Sequence, residues 1–228
     1  LLTKKRWLLV GLFIGLAYGS RIESFFTLLF ALSFLKPSKK SLKDIFLLLA
    51  GFCLPFILVS YYNFSRFGNI FENGYEYFVK SDPSSVIPYG LFSLNYFPNN
   101  FNVYFLKGPE IIPNFPYLRP PWIGMSIIFI TPAFLYIVNT LRKKIIAPVI
   151  IGAWASVLLM AIPSLIYFYP GWTEFGWKHS VVFTPILVFL TANGMQGRLN
   201  LFKIFLITLS IVVQTWGVLW WKLSNWFY

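Results

Sequence analysis

The chain has 228 residues, of which 57% are hydrophobic and only 11% are charged. This composition excludes a water-soluble globular domain, because a soluble surface requires more polar and charged side chains. The formal charge of +12 does not indicate nucleic-acid binding, since the basic residues lie in short clusters between apolar runs. A single cysteine, Cys53, excludes a disulfide framework, and a single histidine, His179, excludes a multi-histidine metal centre.

The chain opens with a basic cluster that leads directly into an apolar stretch. The first residues are Leu1-Leu2-Thr3-Lys4-Lys5-Arg6, with no initiator methionine and no small-residue cleavage site after them. We therefore expect an internal start, with the chain forming the C-terminal part of a longer protein. The apolar run from Trp7 to Leu35 is too long for one simple span and is interrupted at Gly19 to Glu23. It predicts two short helices that meet at a polar break.

Five further apolar runs approach the roughly 20 residues that a helix needs to cross a hydrocarbon core. They are Ile45 to Tyr62, Ile123 to Leu141, Ile145 to Phe168, Ser180 to Met195 and Leu201 to Trp221. The sequence therefore predicts an all-α integral membrane protein. It has a single transmembrane domain over residues 1–228, about seven transmembrane helices of which the first two are short, and one large outer loop.

The distribution of charge predicts the orientation of these spans, because cytoplasmic loops carry an excess of Lys and Arg. If the start is cytoplasmic and every segment crosses, 12 of the 19 basic residues fall inside and six of the seven acids fall outside. The Lys36 to Lys43 connection is then inside, and the segment from Asn63 to Trp122 is outside. That outer segment contains eight of the 15 prolines and 16 aromatic residues, a composition that predicts a loop on the membrane surface.

The first candidate site contains Arg21 and Glu23 at the polar break. A helix from Trp7 to Ser20 rises only about 21 Å, so Arg21 is predicted to sit below the outer surface. A charge at that depth favours a water-lined cavity over lipid. An ion pair that extends its charged ends to the interface is the structural alternative, and the residues alone do not separate the two.

The second and third candidates lie where the chain leaves the membrane on the outer side. In the loop from Tyr169 to His179, Lys178 and His179 are predicted on the first turn of a helix, where an anion such as phosphate is favoured. An ordinary turn in the aromatic belt is the alternative. Near Tyr61 to Tyr75, Arg66 and Glu72 are predicted either to pair or to contact a polar ligand. Phe71 to Lys80 is predicted to form a short amphipathic helix.

Three short patterns follow one another along the chain. They are Gly11, Gly15 and Ala17 before Arg21; Arg66-Phe67-Gly68 with Phe71-Glu72-Asn73-Gly74-Tyr75; and Phe175-Gly176-Trp177-Lys178-His179 with Pro185. Their order resembles that of the polytopic GT-C glycosyltransferases. Within that superfamily it is most similar to the protein-mannosyltransferase-like group, which uses polyprenyl-phosphate sugars. The resemblance spans about Trp7 to Gly194, and Lys178 stands where such sequences often carry arginine.

The resemblance implies transfer of a sugar from a polyprenyl-phosphate donor to an acceptor on the outer face of a bacterial or archaeal plasma membrane. Arg21, Lys178 and His179 would hold the donor phosphate, while Glu23, Glu72 and Glu174 would contact the sugar or the acceptor. Such enzymes use an acidic residue of the first outer loop as base or metal ligand. This chain has no Asp-x-Asp and no outward acid ahead of Glu23, so the catalytic acid and any divalent-metal ligands are expected outside it.

Two other classes of function remain open on the sequence. A transporter or lipid flippase would also need buried charges and an outward cavity, but paired halves with matching broken helices are not evident. A non-catalytic assembly subunit would use the outer aromatic segment to bind a partner. For the glycosyltransferase hypothesis, the expected partners are membrane lipids and a polyprenyl-phosphate sugar, and no nucleic acid is expected.

Overall fold

The computed structural model describes residues 6–36, 38–74, 77, 87–115, 117–142, 146–171, 174–197 and 199–224. Most of these residues are helical. They group into two compact units. The first comprises Leu1–Leu91 and Ala147–Met160, and the second comprises Phe92–Ile146 and Ala161–Tyr228.

Among the described residues, three helices are long and apolar enough to cross a membrane, over Ser41–Phe67, Pro148–Leu165 and Leu201–Trp220. Shorter apolar helices cover Trp7–Ser20, Ile22–Leu32 and Thr184–Met195. Many aliphatic side chains of the long helices are exposed, among them Leu58, Leu158 and Ile211. Exposed apolar side chains of this density require a non-aqueous surrounding. The predicted helical class with apolar helices suited to crossing a membrane is therefore confirmed, and the count of seven crossings stays a prediction.

The first unit is built around two closely packed helices, α1 (Trp7–Ser20) and α3 (Lys39–Phe67). Glycines lie at their crossing: a Cβ atom on Gly11 would overlap the backbone carbonyl of Leu48, and one on Gly51 would overlap that of Leu8. The two backbones therefore touch directly, as small residues allow in membrane helix pairs. Around this contact, Tyr18 packs edge-on against Phe52, with ring centroids 5.8 Å apart.

The polar break predicted between Gly19 and Glu23 is confirmed. Helix α1 ends at Ser20, Arg21 has an extended backbone, and a 3₁₀ helix over Ile22–Phe26 leads into α2 (Thr27–Leu32). Ser156 stabilises this junction from α6 (Pro148–Leu165). Its hydroxyl accepts from the Phe30 amide at 3.0 Å and donates to the Phe26 carbonyl at 2.9 Å. Ser156 therefore links this junction to α6, 126 and 130 positions further along the chain.

In the outer segment, α3 continues to Phe67, and Gly68 ends it in the left-handed region at φ 69°. Phe71 to Gly74 form turns, and most of the amphipathic helix predicted over Phe71 to Lys80 lies outside the described residues. Further along, a 3₁₀ turn over Leu94–Tyr96, α4 (Phe97–Phe101) and a π-helical turn over Asn102–Leu106 are continuous.

A two-stranded antiparallel hairpin follows, formed by β1 (Glu110–Ile111) and β2 (Leu118–Arg119). The fold therefore departs from the predicted all-α class by this one short hairpin among the described residues.

The predicted span from Ile123 to Leu141 is not a continuous α-helix. It consists of α5 (Ile127–Ile130), an irregular Thr131, and a 3₁₀ helix over Pro132–Thr140. Proline has no amide hydrogen to donate, which favours a change of helix type at this point. The 3₁₀ helix packs tightly against α7 (Thr184–Met195), where a Cβ atom on Gly194 would overlap the carbonyl of Tyr136. The last helix, α8 (Leu201–Ser224), belongs to the same unit.

Candidate functional site

The second unit holds the loop between α6 and α7 in place through two buried side chains of the outer segment. Asn100 is completely buried, and its amide nitrogen donates to the carbonyls of Ser164, Leu165 and Tyr167 at 3.2, 3.1 and 2.7 Å. Ser164 and Leu165 are the last residues of α6, where carbonyls lack helical partners, and Tyr167 follows two residues later. One asparagine side chain therefore supplies hydrogen bonds to the backbone carbonyls where the chain leaves the helix.

Tyr104 fixes the next part of the same loop. Its hydroxyl donates to the Pro170 carbonyl at 2.8 Å, and its ring stacks on Trp177 with centroids 4.3 Å apart and planes 8° from parallel. Burial raises the pKa of the Tyr104 phenol, and the nearby Glu174 and Tyr167 raise it further. The phenol therefore stays protonated and keeps its hydrogen bond at neutral pH.

A short ion pair lies in the part of the loop that follows Pro170. Lys178 Nζ is 2.7 Å from Glu174 Oε1, and the two side chains differ in accessibility, with Lys178 54% exposed and Glu174 only 13% exposed. The other carboxylate oxygen, Oε2, is buried without a hydrogen-bond partner among the described residues. It lies so close to Gly171 that a Cβ there would come within 2.9 Å of it. Glu174 is thus the less exposed partner of the pair, and its second carboxylate oxygen packs against Gly171.

The pair opens onto a cavity of about 440 Å³ within the second unit. This volume lies in the range of small-molecule pockets, which are roughly 300–1,000 Å³. Polar residues line part of it. Thr131 Oγ1 accepts from Gln214 Nε2 at 3.1 Å, while the hydroxyls of Ser180 and Thr184 donate to the backbone carbonyls of Trp177 and Ser180. The remaining wall is apolar and aromatic, formed by Ile127, Ile130, Phe134, Phe175, Trp177 and Val181. The cavity therefore combines one cation, one carboxylate and neutral donors with an apolar wall.

The structure brings together two of the seven residues predicted for the site, Glu174 and Lys178. His179 is outside the described lining of the cavity, and its ring contacts Tyr167 at a centroid distance of 6.2 Å. The other four belong to the first unit: Arg21, Glu23, Arg66 and Glu72. The predicted convergence of Arg21 and Lys178 on one anion therefore stays a prediction.

Lys178 and His179 begin a 3₁₀ helix of five residues, Lys178–Val182, and Phe183 separates it from α7. The prediction assigned them to the first turn of a long span. Such a short 3₁₀ segment has little helix dipole to offer an anion. The long helix on which the predicted anion site at Lys178 and His179 depended therefore does not begin at these residues.

Arg66 and Glu72 are bound locally at the end of α3. Arg66 donates to the Tyr62 hydroxyl at 2.7 Å, and its guanidinium carbon lies 4.9 Å from the centre of the Phe67 ring. Glu72 Oε1 accepts from the Gly74 amide at 2.6 Å. These contacts give both residues a structural role in the turn that follows the helix.

Gln214 and Thr131 line the cavity but were not among the predicted site residues. A signal was present for Gln214, which is the largest uncharged polar side chain within the apolar run of α8. Polar side chains in membrane helices usually turn toward a polar partner inside the protein. Among the described residues, no three His, Cys, Asp or Glu side chains gather as metal ligands.

Comparisons with known proteins do not assign the chain to a family. No protein-family model, curated protein or solved structure gives a significant match to it.

Proposed function

We propose that the chain is the donor-binding membrane part of a glycosyltransferase that moves a sugar from a polyprenyl-phosphate donor to an acceptor on the outer face. The observation that carries the proposal is the cavity beside Lys178 and Glu174, where charged and apolar surfaces meet. A lipid-linked phosphate has the same combination of an anionic head and an apolar chain. The resemblance of the sequence patterns to GT-C glycosyltransferases supports the same reaction class.

In this proposal Lys178 stabilises the phosphate as it becomes the leaving group. An ammonium group has three N–H donors, so it can bind Glu174 and a phosphate oxygen together. Glu174 then keeps the ammonium directed at the cavity, while Gln214 and Thr131 supply neutral hydrogen bonds for sugar hydroxyls. Such fixed donors lower the activation barrier of sugar transfer when they bind the charge that develops in the transition state more strongly than the ground state.

The proposal includes a topology of seven crossings with the outer segment and the cavity on one side. In a Cys53→Ala background, we expect Asn95→Cys to react with an impermeant thiol reagent in intact cells and Ser38→Cys to react only after permeabilisation. Both native side chains are exposed, so accessibility within the fold does not limit either reaction. The measurement is labelling with and without permeabilisation. Reaction of position 38 alone in intact cells would overturn this orientation.

The activity prediction concerns the cation. We expect Lys178→Gln to lower transfer from a polyprenyl-phosphate sugar by about 100-fold with normal membrane abundance, because it removes a charge that faces the leaving group. Arg21→Gln is expected to lower transfer as well, because the resemblance assigns this residue to the donor phosphate. Arg21→Lys should be only partly tolerated, since a bidentate donor is lost.

The matched control is Lys222→Gln, which removes an exposed lysine from the end of α8 in the same unit. It should retain normal transfer. Near-normal transfer in Lys178→Gln would remove this residue from the site. If the parent protein moved the lipid-linked sugar across vesicles without transferring it, the flippase hypothesis would replace the proposal.

A further inference from the structure

The β1–β2 hairpin of the outer segment has one charged face and one apolar face. Glu110 and Arg119 are opposite each other and form an ion pair of 2.9 Å, while Ile111 is opposite Leu118. Successive residues of a strand point to opposite faces, so the ion pair and the aliphatic pair lie on different sides of the hairpin. Ile111 is 86% exposed, which leaves the aliphatic side without cover from the described residues.

The turn of the hairpin carries two exposed aromatic rings. Phe115 is 84% exposed, and its ring meets Tyr117 edge-on with centroids 6.1 Å apart. The turn closes through the Tyr117 amide, which donates to the Asn114 carbonyl at 2.8 Å. Two exposed aromatic rings thus lie at the turn, and the ion pair lies at the open end of the hairpin.

Tyr117 has a backbone φ of 67°, in the left-handed region where glycine or asparagine is normally preferred. A bulky residue there is strained, and its largely exposed ring gains little packing in return. Strain retained at an exposed aromatic side chain points to a contact outside the described chain.

We infer that this hairpin is a shallow lipid anchor, whose Ile111, Phe115, Tyr117 and Leu118 side chains enter the headgroup region of the bilayer that the long helices cross. Aromatic and aliphatic side chains of this mixture are typical of the membrane interface. Lys107 precedes the hairpin, where a cation suits lipid phosphates, while Arg119 is paired with Glu110. The chain also continues from β2 through the exposed Trp122 into the apolar segments Ile127–Ile130 and Pro132–Thr140, which lie within a span predicted from the sequence. The inference requires the chain to sit in a bilayer and does not depend on sugar transfer.

The test uses the full chain with Cys53→Ala and Phe115→Cys, labelled with an environment-sensitive fluorophore and reconstituted into pure lipid vesicles. We expect a blue-shifted emission that loses most of its intensity when the lipids carry bromine near the glycerol backbone. The control is the same label on Ser38→Cys, an exposed polar position, whose emission should be red-shifted and little quenched. Adding Tyr117→Gly, which suits the positive φ, should keep the turn but reduce the quenching at position 115.

Emission at position 115 equal to that of the control in vesicles would overturn the inference. If the label were then protected only in native membranes, the hairpin would contact a protein partner instead of lipid. Neither result depends on catalytic activity, so failure of the anchor and failure of the proposed transfer reaction can be told apart.

Discussion

Asn100→Asp is expected to lower the free energy of unfolding by about 4 kcal/mol, because it replaces a buried donor with an oxygen that faces three carbonyls. The native amide nitrogen lies 2.7 to 3.2 Å from the carbonyl oxygens of Ser164, Leu165 and Tyr167, and the residue is fully buried. A carboxylate of the same size would leave these carbonyls without a donor and would itself be uncompensated. The measurement is unfolding of the purified protein in detergent by heat or denaturant.

The matched control for this substitution is Asn102→Asp, two residues further along the same helical run. Its side chain is exposed, so the same chemical change should alter stability by less than about 0.5 kcal/mol. Asn100→Leu should also destabilise, since it removes the donor without adding charge. Equal stability of the two Asp variants would show that the three hydrogen bonds to the end of α6 do not matter for the fold.

Gly11→Ala is expected to destabilise the protein by about 3 kcal/mol or more, although alanine favours a helix over glycine by about 1 kcal/mol. The added methyl group would overlap the backbone carbonyl of Leu48, and a backbone cannot move aside as a side chain can. Helices α1 and α3 would have to separate along their contact, which would also disturb the packing of Tyr18 on Phe52. Thermal unfolding in detergent measures the loss.

Gly19→Ala provides the control, because it makes the same change in the same helix. Its nearest neighbour is a methyl group of Val59 at 3.1 Å, a side-chain atom that can shift slightly. The gain in helix propensity should offset that adjustment, so stability should stay within about 1 kcal/mol of the parent. A Gly11→Ala variant as stable as Gly19→Ala would contradict the direct backbone contact between α1 and α3.

The long apolar helices could be predicted from the sequence because their signal is local. A run such as Leu201 to Trp221 carries its own hydropathy and length, and neither depends on what packs against it. The break after Ser20 is local too, since polar and glycine residues interrupt the run there. The hydrogen bonds that stabilise the break could not be predicted, because Ser156 contacts the Phe26 to Phe30 turn from more than a hundred residues away in the sequence.

The cavity was only partly predictable. The pairing of Glu174 with Lys178 joins residues four apart, so the sequence alone already grouped them in one loop. The opposite wall brings Thr131 and Gln214 together across 83 positions, and no sequence period connects them. Ile123 to Leu141 was likewise predicted as one span because hydropathy does not report the helix type, which changes at Thr131.

Composition and charge clusters thus determined by themselves that this chain is a helical protein suited to a bilayer, since transfer into lipid is a sum over neighbouring residues. The tertiary structure alone decided which polar side chains meet. Asn100 donates to the carbonyls of Ser164 and Leu165 at the end of α6, and Lys178 lines the same cavity as the distant Gln214. Hydrogen bonds and ion pairs depend on distances of a few ångströms, which only the packed chain sets.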